Sequence, residues 1–187
     1  GHGMVLDVGA GTGRDAAWLS SRGLEVVAVE PSSGMREAGR RNHNGTGIQW
    51  ISDLLPDFRD VSRQGLSFDF ILLSAVWMHI PNNDRPRAFR KLIALLKPGG
   101  TIAITLRMGP DDAERGIYPV SEQEIEQLTK EHGAYVARRI ESADELGRPE
   151  ITWIQIAIRL PDDGSGALPL LRYVILNDDK SSTYKLA

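Results

Sequence analysis

The chain has 187 residues, 41% hydrophobic and 25% charged, an ordinary balance for a folded domain with one core. A net charge of -3 argues against a nucleic acid or an anionic membrane as the main partner, because either demands a basic surface. Cysteine is absent, which excludes disulfides, thiolate metal sites and cysteine nucleophiles and suits a reducing, cytoplasmic setting. No apolar run approaches the roughly 18 residues of a membrane span, and the opening residues lead into a strand rather than a signal peptide.

Val5 to Val8 is a short apolar run stopped by glycines and reads as a buried strand. Arg14 to Arg22 follows as a helix, with Ala16, Ala17, Trp18 and Leu19 on helical spacing and Gly23 as its stop. Glu25 to Glu30 is a second strand, and Pro31, Ser32 and Ser33 open a helix that runs to about Arg41. Ile48 to Ser52 and Phe68 to Ala75 are further strands. Asp84 to Leu96 is helical, carrying an apolar stripe of Phe89, Leu92, Ile93, Leu95 and Leu96. Lys97-Pro98-Gly99-Gly100 turns the chain into a strand from Thr101 to Leu106. A helix over Ser121 to Glu131 opens on a capping box of Ser121 and Glu124.

The last two strands, Tyr135 to Ile140 and Ile151 to Arg159, have no helix between them and should pair antiparallel. The other strands alternate with helices, which predicts an α/β fold: a parallel sheet with helices on both faces. Residues 161–187 change character. A linker, Pro161 to Gly166, leads to an apolar run from Leu168 to Leu176 and a polar stretch in which Ser182 or Thr183 would cap a new helix. The expected organisation is one domain over 1–160 and a C-terminal extension over 161–187 that begins a second, truncated domain.

Asp7-Val8-Gly9-Ala10-Gly11-Thr12-Gly13 links the first strand to the first helix, where an open α/β sheet forms its ligand crevice. Glycines there let backbone approach a ligand closely. Charge separates the candidate ligands. A dinucleotide brings a pyrophosphate, which an acid at the end of the strand would repel. S-adenosylmethionine brings a sulfonium and an ammonium group, and Asp7 suits both. The spacing agrees, because Arg14 stands where the dinucleotide fingerprint has its third glycine. Glu30, about 20 residues beyond the loop, is positioned to accept both ribose hydroxyls. Asp53, flanked by Ser52 and Leu54, is a candidate acceptor for an adenine amino group, or else a turn residue.

With these residues in hand, the chain resembles the class I S-adenosylmethionine-dependent methyltransferases over about residues 4 to 160. VLDVGAGTGRDA is similar to that family's first motif, VVAVEPS to its acidic second strand, ISDLL to its adenine-contacting segment and LLKPGG to the turn before its fifth strand. The resemblance implies a Rossmann-like, doubly wound, seven-stranded sheet of order 3-2-1-4-5-7-6 with strand seven antiparallel. S-adenosyl-L-methionine is then the cofactor and S-adenosyl-L-homocysteine the product. The candidate cofactor set is Asp7, Gly9, Ala10, Gly11, Gly13, Arg14, Glu30, Pro31, Met35, Ser52, Asp53, Leu54, Ser74 and Ala75. Met35 falls where the family packs an apolar side chain on the adenine. Many relatives carry a helix before the first strand, and this sequence starts almost at that strand.

The segment Ser74 to Pro81 lies where an acceptor should approach. It lacks the Asn/Asp-Pro-Pro-aromatic sequence of enzymes that methylate DNA amino groups, and there is no cysteine for carbon-five cytosine chemistry. His2, His43, His79 and His132 are scattered and make no metal site. These features point to a small-molecule acceptor. His79 is the candidate general base, since imidazole exchanges protons near neutral pH. Trp77, Arg107 and Tyr118 are candidate acceptor contacts, with a buried supporting role the alternative for Trp77. A non-catalytic S-adenosylmethionine-binding module and a nicotinamide-dependent oxidoreductase, NAD(P)-binding, are the competing readings.

Overall fold

In the computed structural model, which describes residues 3–164, strand and helix alternate as the hydrophobic pattern requires. The strands are β1 Met4–Val8, β2 Glu25–Val29, β3 Gln49–Ile51, β4 Phe68–Leu73, β5 Leu96–Met108, β6 Tyr135–Ala143 and β7 Thr152–Arg159. The helices are α1 Arg14–Ser21, α2 Ser33–Asn42, α3 Arg59–Arg63, α4 Arg85–Leu95 and α5 Glu122–Glu131. All seven strands join one sheet in the order β3-β2-β1-β4-β5-β7-β6. β7 runs antiparallel to both β5 and β6, and the remaining pairs are parallel.

β1 pairs with β2 on one side and β4 on the other, so the chain reverses its direction of travel across the sheet at that strand. Such a switch point opens a crevice at the carboxyl ends of the strands. Helices cover both faces. Val61 of α3, Phe89 and Leu92 of α4 and Ile125 of α5 pack in one core, while Ala16 and Leu19 of α1 pack in the other. All six residues of β4 are buried, which explains why that segment is apolar without alternation. Asp69 within it is buried because its Oδ2 accepts from the Met4 N–H at 2.8 Å and the Lys97 ammonium at 2.7 Å.

Three details depart from the sequence expectation. α3 has no counterpart in the hydrophobic pattern: it is five residues long and follows Phe58, whose left-handed backbone (φ 43°) bends the chain into it. β5 and β6 extend beyond their apolar centres, because ladder pairing with β7 carries β5 to Met108 and β6 to Ala143. The capping box of α5 is only half formed. Ser121 Oγ accepts from the Glu124 N–H at 3.2 Å, but the Glu124 carboxylate turns instead to Arg85 and Trp77. Of the extension expected over 161–187, the apolar run from Leu168 to Leu176 and the helix that Ser182 or Thr183 would cap fall in residues 165–187, outside the described residues. Among the described residues no helix is long and apolar enough to cross a membrane.

Candidate cofactor and acceptor site

The crevice forms where β1, β2 and β4 end. Gly9, Gly11 and Gly13 all take positive φ (68°, 55° and 83°), so the alternating glycines are required by the loop itself. Their surroundings differ. A Cβ on Gly9 would meet Val76 Cγ2 at 2.7 Å, and one on Gly13 would meet Trp50 at 2.6 Å. A Cβ on Gly11 would meet nothing within 4 Å, so open space lies over the centre of the loop.

Two acids frame that space. Glu30, 7% exposed, follows β2. Its Oε2 accepts from the Gly11 N–H at 2.9 Å and its Oε1 from the Ser32 N–H at 2.8 Å. Both oxygens are thereby fixed, and each keeps a lone pair for a ligand hydroxyl. Arg36 holds the backbone below, donating to the Glu30 and Pro31 carbonyls at 2.7 Å each.

Asp7 is treated differently. It is 2% exposed, and its Oδ2 is buried with no hydrogen-bond partner. Burial pushes its carboxyl well up from the ordinary range, Asp15 and Glu30 push it further, and the Ala16 N–H only partly offsets this. Asp15, in the first turn of α1, joins the candidate site without any signal in the sequence. Its Oδ1 is also buried and unbonded. Its carboxyl is raised by burial, against lowering by Arg14 and by a hydrogen bond with Ser74. Asp7 Oδ2 has no counter-charge and Asp15 Oδ1 has only Arg14 Nε at 3.7 Å, so the floor beneath the glycine loop suits a cation and is a poor place for pyrophosphate.

The adenine-side candidates are brought to one edge of the crevice by β2 and β3. Met35 in the first turn of α2 and Leu54 after β3 are 49% and 61% exposed, among the few large apolar side chains left open. Exposure shows that Met35 is not a core residue. Asp53 carries a structural task unseen in the sequence. Its Oδ2 accepts from the Asp60 and Val61 N–H groups at 2.8 and 3.0 Å, capping α3, and its Oδ1 accepts from Leu54 N–H at 2.8 Å. Asp53 thereby satisfies two N–H groups of the first turn of so short a helix.

Beyond β4 the chain turns sharply. Ala75 adopts φ 56°, a conformation rare outside glycine, and its N–H donates to Thr105 Oγ1 at 2.6 Å. A short 3₁₀ turn, Trp77–His79, follows. Trp77 is fully buried, edge-on to Phe89 with ring centroids 6.3 Å apart, and so supports the acceptor side without lining it. His79 is exposed, with Nδ1 2.9 Å from the Gly116 carbonyl. Tyr118 is 37% exposed, and its N–H donates to the Met78 carbonyl at 2.8 Å, so His79 and Tyr118 belong to one wall. Arg107 is half-buried near the end of β5, and its Nη1 donates to the Pro110 carbonyl at 2.7 Å. Elsewhere, a concavity of about 290 Å³ gathers Arg87, Arg90 and Lys91 beside Asp57 and Ala94, a local basic surface sharing no residue with the crevice.

A methyltransferase domain model matches residues 5–100, slightly more than half of the chain and the part that builds the loop, Glu30 and β4. The chain belongs to that family. It is a class I, S-adenosylmethionine-dependent methyltransferase domain. Over 101 residues it is 37% identical to a demethylmenaquinone methyltransferase of Clavibacter sepedonicus, covering 54% of this chain and 39% of that protein. Over 164 residues it is 27% identical to a trans-aconitate 2-methyltransferase of Deinococcus radiodurans, covering 81% of this chain and 60% of that one. The chain thus spans less than two thirds of either relative. A Burkholderia thailandensis 1,6-didemethyltoxoflavin-N1-methyltransferase, solved with 1,6-didemethyltoxoflavin and S-adenosylhomocysteine bound, superposes with a TM-score of 0.71 at 20% identity. That match covers 86% of this chain and 72% of the other, a likeness of fold.

Proposed function

We propose that this methyltransferase domain binds S-adenosylmethionine over the Gly9–Gly13 loop and methylates a small-molecule acceptor approaching the wall of His79 and Tyr118. The observation that carries the cofactor reading is the buried, unbonded carboxylate of Asp7, which a cationic ligand would compensate. Glu30 would hold the ribose hydroxyls, and Met35 and Leu54 would flank the adenine. Ser52, Asp53, Ser74, Ala75, Ala10, Arg14 and Pro31 complete the surrounding backbone and side chains. When bound, S-adenosylmethionine supplies a methyl group on a sulfonium, an electrophile that needs an aligned nucleophile more than it needs acid or base assistance.

His79 supplies that assistance for an acceptor that carries a proton. The Gly116 carbonyl can only accept, so Nδ1 carries a hydrogen, and in the neutral ring Nε2 keeps the lone pair. An acceptor O–H or N–H gives its proton to Nε2, and the resulting imidazolium still donates to Gly116. Support for a small acceptor comes from the relatives, whose names specify a demethylmenaquinone, trans-aconitate and a toxoflavin precursor.

Calorimetric titration with S-adenosylmethionine, S-adenosylhomocysteine and NAD tests the cofactor. Binding of the two adenosyl ligands and none of NAD is expected, and the reverse pattern sinks the reading. A labelled-methyl transfer screen against fractionated metabolites then identifies the acceptor. His79→Gln should lower transfer to it by roughly 100-fold while cofactor affinity stays within about twofold. Undiminished transfer would remove His79 from the chemistry.

A further inference from the structure

Arg85, the first residue of α4, has a side chain only 1% exposed. Its Nε donates to the Ile80 carbonyl at 3.0 Å, and its Nη1 donates to the Pro119 carbonyl at 2.7 Å and to Glu124 Oε2 at 3.0 Å. Glu124 Oε2 also accepts from Trp77 Nε1 at 3.4 Å, and the guanidinium carbon lies 6.0 Å from the Trp77 ring. Nη2 is buried and has no partner. A buried guanidinium with donors unused is an expensive way to fill space, since a hydrophobic side chain of similar volume is often neutral or stabilising there. Glu124, moreover, leaves the capping box of its own helix to reach it.

The geometry accounts for this cost. Ile80 and Pro119 each lie just beyond one of the two segments that form the acceptor wall. Between those segments run the Tyr118 N–H to Met78 carbonyl bond at 2.8 Å and the His79 Nδ1 to Gly116 carbonyl contact at 2.9 Å. Arg85 therefore ties both segments to α4 and, through Glu124, to α5. We infer that Arg85 is a positioning residue: it registers the 116–119 segment against the 78–80 turn, so that Gly116 holds His79 with hydrogen on Nδ1 and the lone pair on Nε2. The neutral histidine side chain in water favours the opposite, Nε2–H tautomer, so the held form depends on where Gly116 sits. The catalytic value of this device rests on the reading of His79 as a base, but the tautomer is measurable without any acceptor.

The test is nitrogen-15 NMR of the imidazole rings, with the His79 signals assigned by their loss in His79→Gln. The unaltered protein should show the Nδ1–H tautomer at His79. Arg85→Lys and Arg85→Met should shift it toward the Nε2–H form found in water, with S-adenosylhomocysteine affinity, measured by calorimetry, within about twofold. His79 remaining Nδ1–H in a folded Arg85 variant, or starting as Nε2–H in the unaltered protein, overturns the inference. If neither Arg85 variant folds, Glu124→Ala decides: the same direction of shift supports the clasp, and no shift overturns it. A tautomer change with His79→Gln still fully active in methyl transfer keeps the clasp and removes only the base reading.

Discussion

Asp7 and Asp144 are both buried aspartates, 2% and 8% exposed, and the fold treats them in opposite ways. Asp144, which starts the turn after β6, is saturated. It accepts from Arg148 Nε and Nη2 at 2.9 and 2.7 Å, from Trp153 Nε1 at 2.9 Å and from the Leu146 and Arg148 N–H groups. Hydrogen bonds from Arg148 and then Trp153 hold its carboxyl far below the ordinary range. Asp7 keeps a bare Oδ2, and burial first and its acid neighbours second push its carboxyl up. An acid that serves the fold brings its counter-charge with it. An acid of the kind proposed for Asp7, meant for a cationic ligand, is left short of one, and the ligand-free fold bears the strain.

The largest effect that bears on this contrast is expected from Asp7→Asn. Affinity for S-adenosylmethionine, measured by calorimetry, should fall by roughly 100-fold, or about 2.8 kcal/mol, while the ligand-free protein melts at a higher temperature. Unchanged affinity would end the assignment. Asp144→Asn should do the reverse, lowering the melting temperature by several degrees and leaving cofactor affinity within about twofold. A loss of affinity there would mean that the two regions are not separate in function.

The smallest expected effect is on pH dependence, where the two acids have opposite signs. Asp7 and Asp15 are raised, so above the ordinary aspartate value of about 3.9 the folded state keeps protons that the unfolded chain has released. Stability of the ligand-free domain therefore falls as pH rises from about 3.9 through their raised values. Asp144 is depressed, so its contribution is present above about 3.9 and is lost as pH falls toward its folded value. Melting curves across this range should decline on the high-pH limb, and Asp7→Asn should flatten that decline. An equally steep limb in the variant would show that other groups carry it.

Much of the fold was legible because it is written in local patterns. The apolar run of β4, the stripe of α4 and the stop at Gly23 each have a local physical cause, whereas the turn expected over Lys97 to Gly100 lies within β5. The parallel order needed more than these patterns, and came from resemblance to a family. α3 was illegible because five residues give too little periodicity to detect, and its cap, Asp53, lies outside it in sequence. The site was legible in the same measure. Asp7, Glu30 and the glycines follow one another along the β1–α1–β2 unit, so their spacing reveals them. Asp15 and Thr105 gave no such signal, since their roles depend on Ser74 and Ala75 coming from another strand.

The sequence by itself determined the glycine loop, the acids that border it and the β–α alternation that puts them at the ends of strands. Those features depend on residues close in the chain, and on backbone conformations that only certain side chains permit. Tertiary structure alone decided which polar groups are satisfied. Glu124 looked like half of a capping box until Arg85, a residue of another helix, claimed its carboxylate. Trp77 looked like a possible acceptor contact until Phe89 and Glu124 closed around it. Asp7 and Asp144 are the same residue in sequence, and tertiary structure sets them apart: Arg148 and Trp153 arrive at one, while burial and then Asp15 bear on the other.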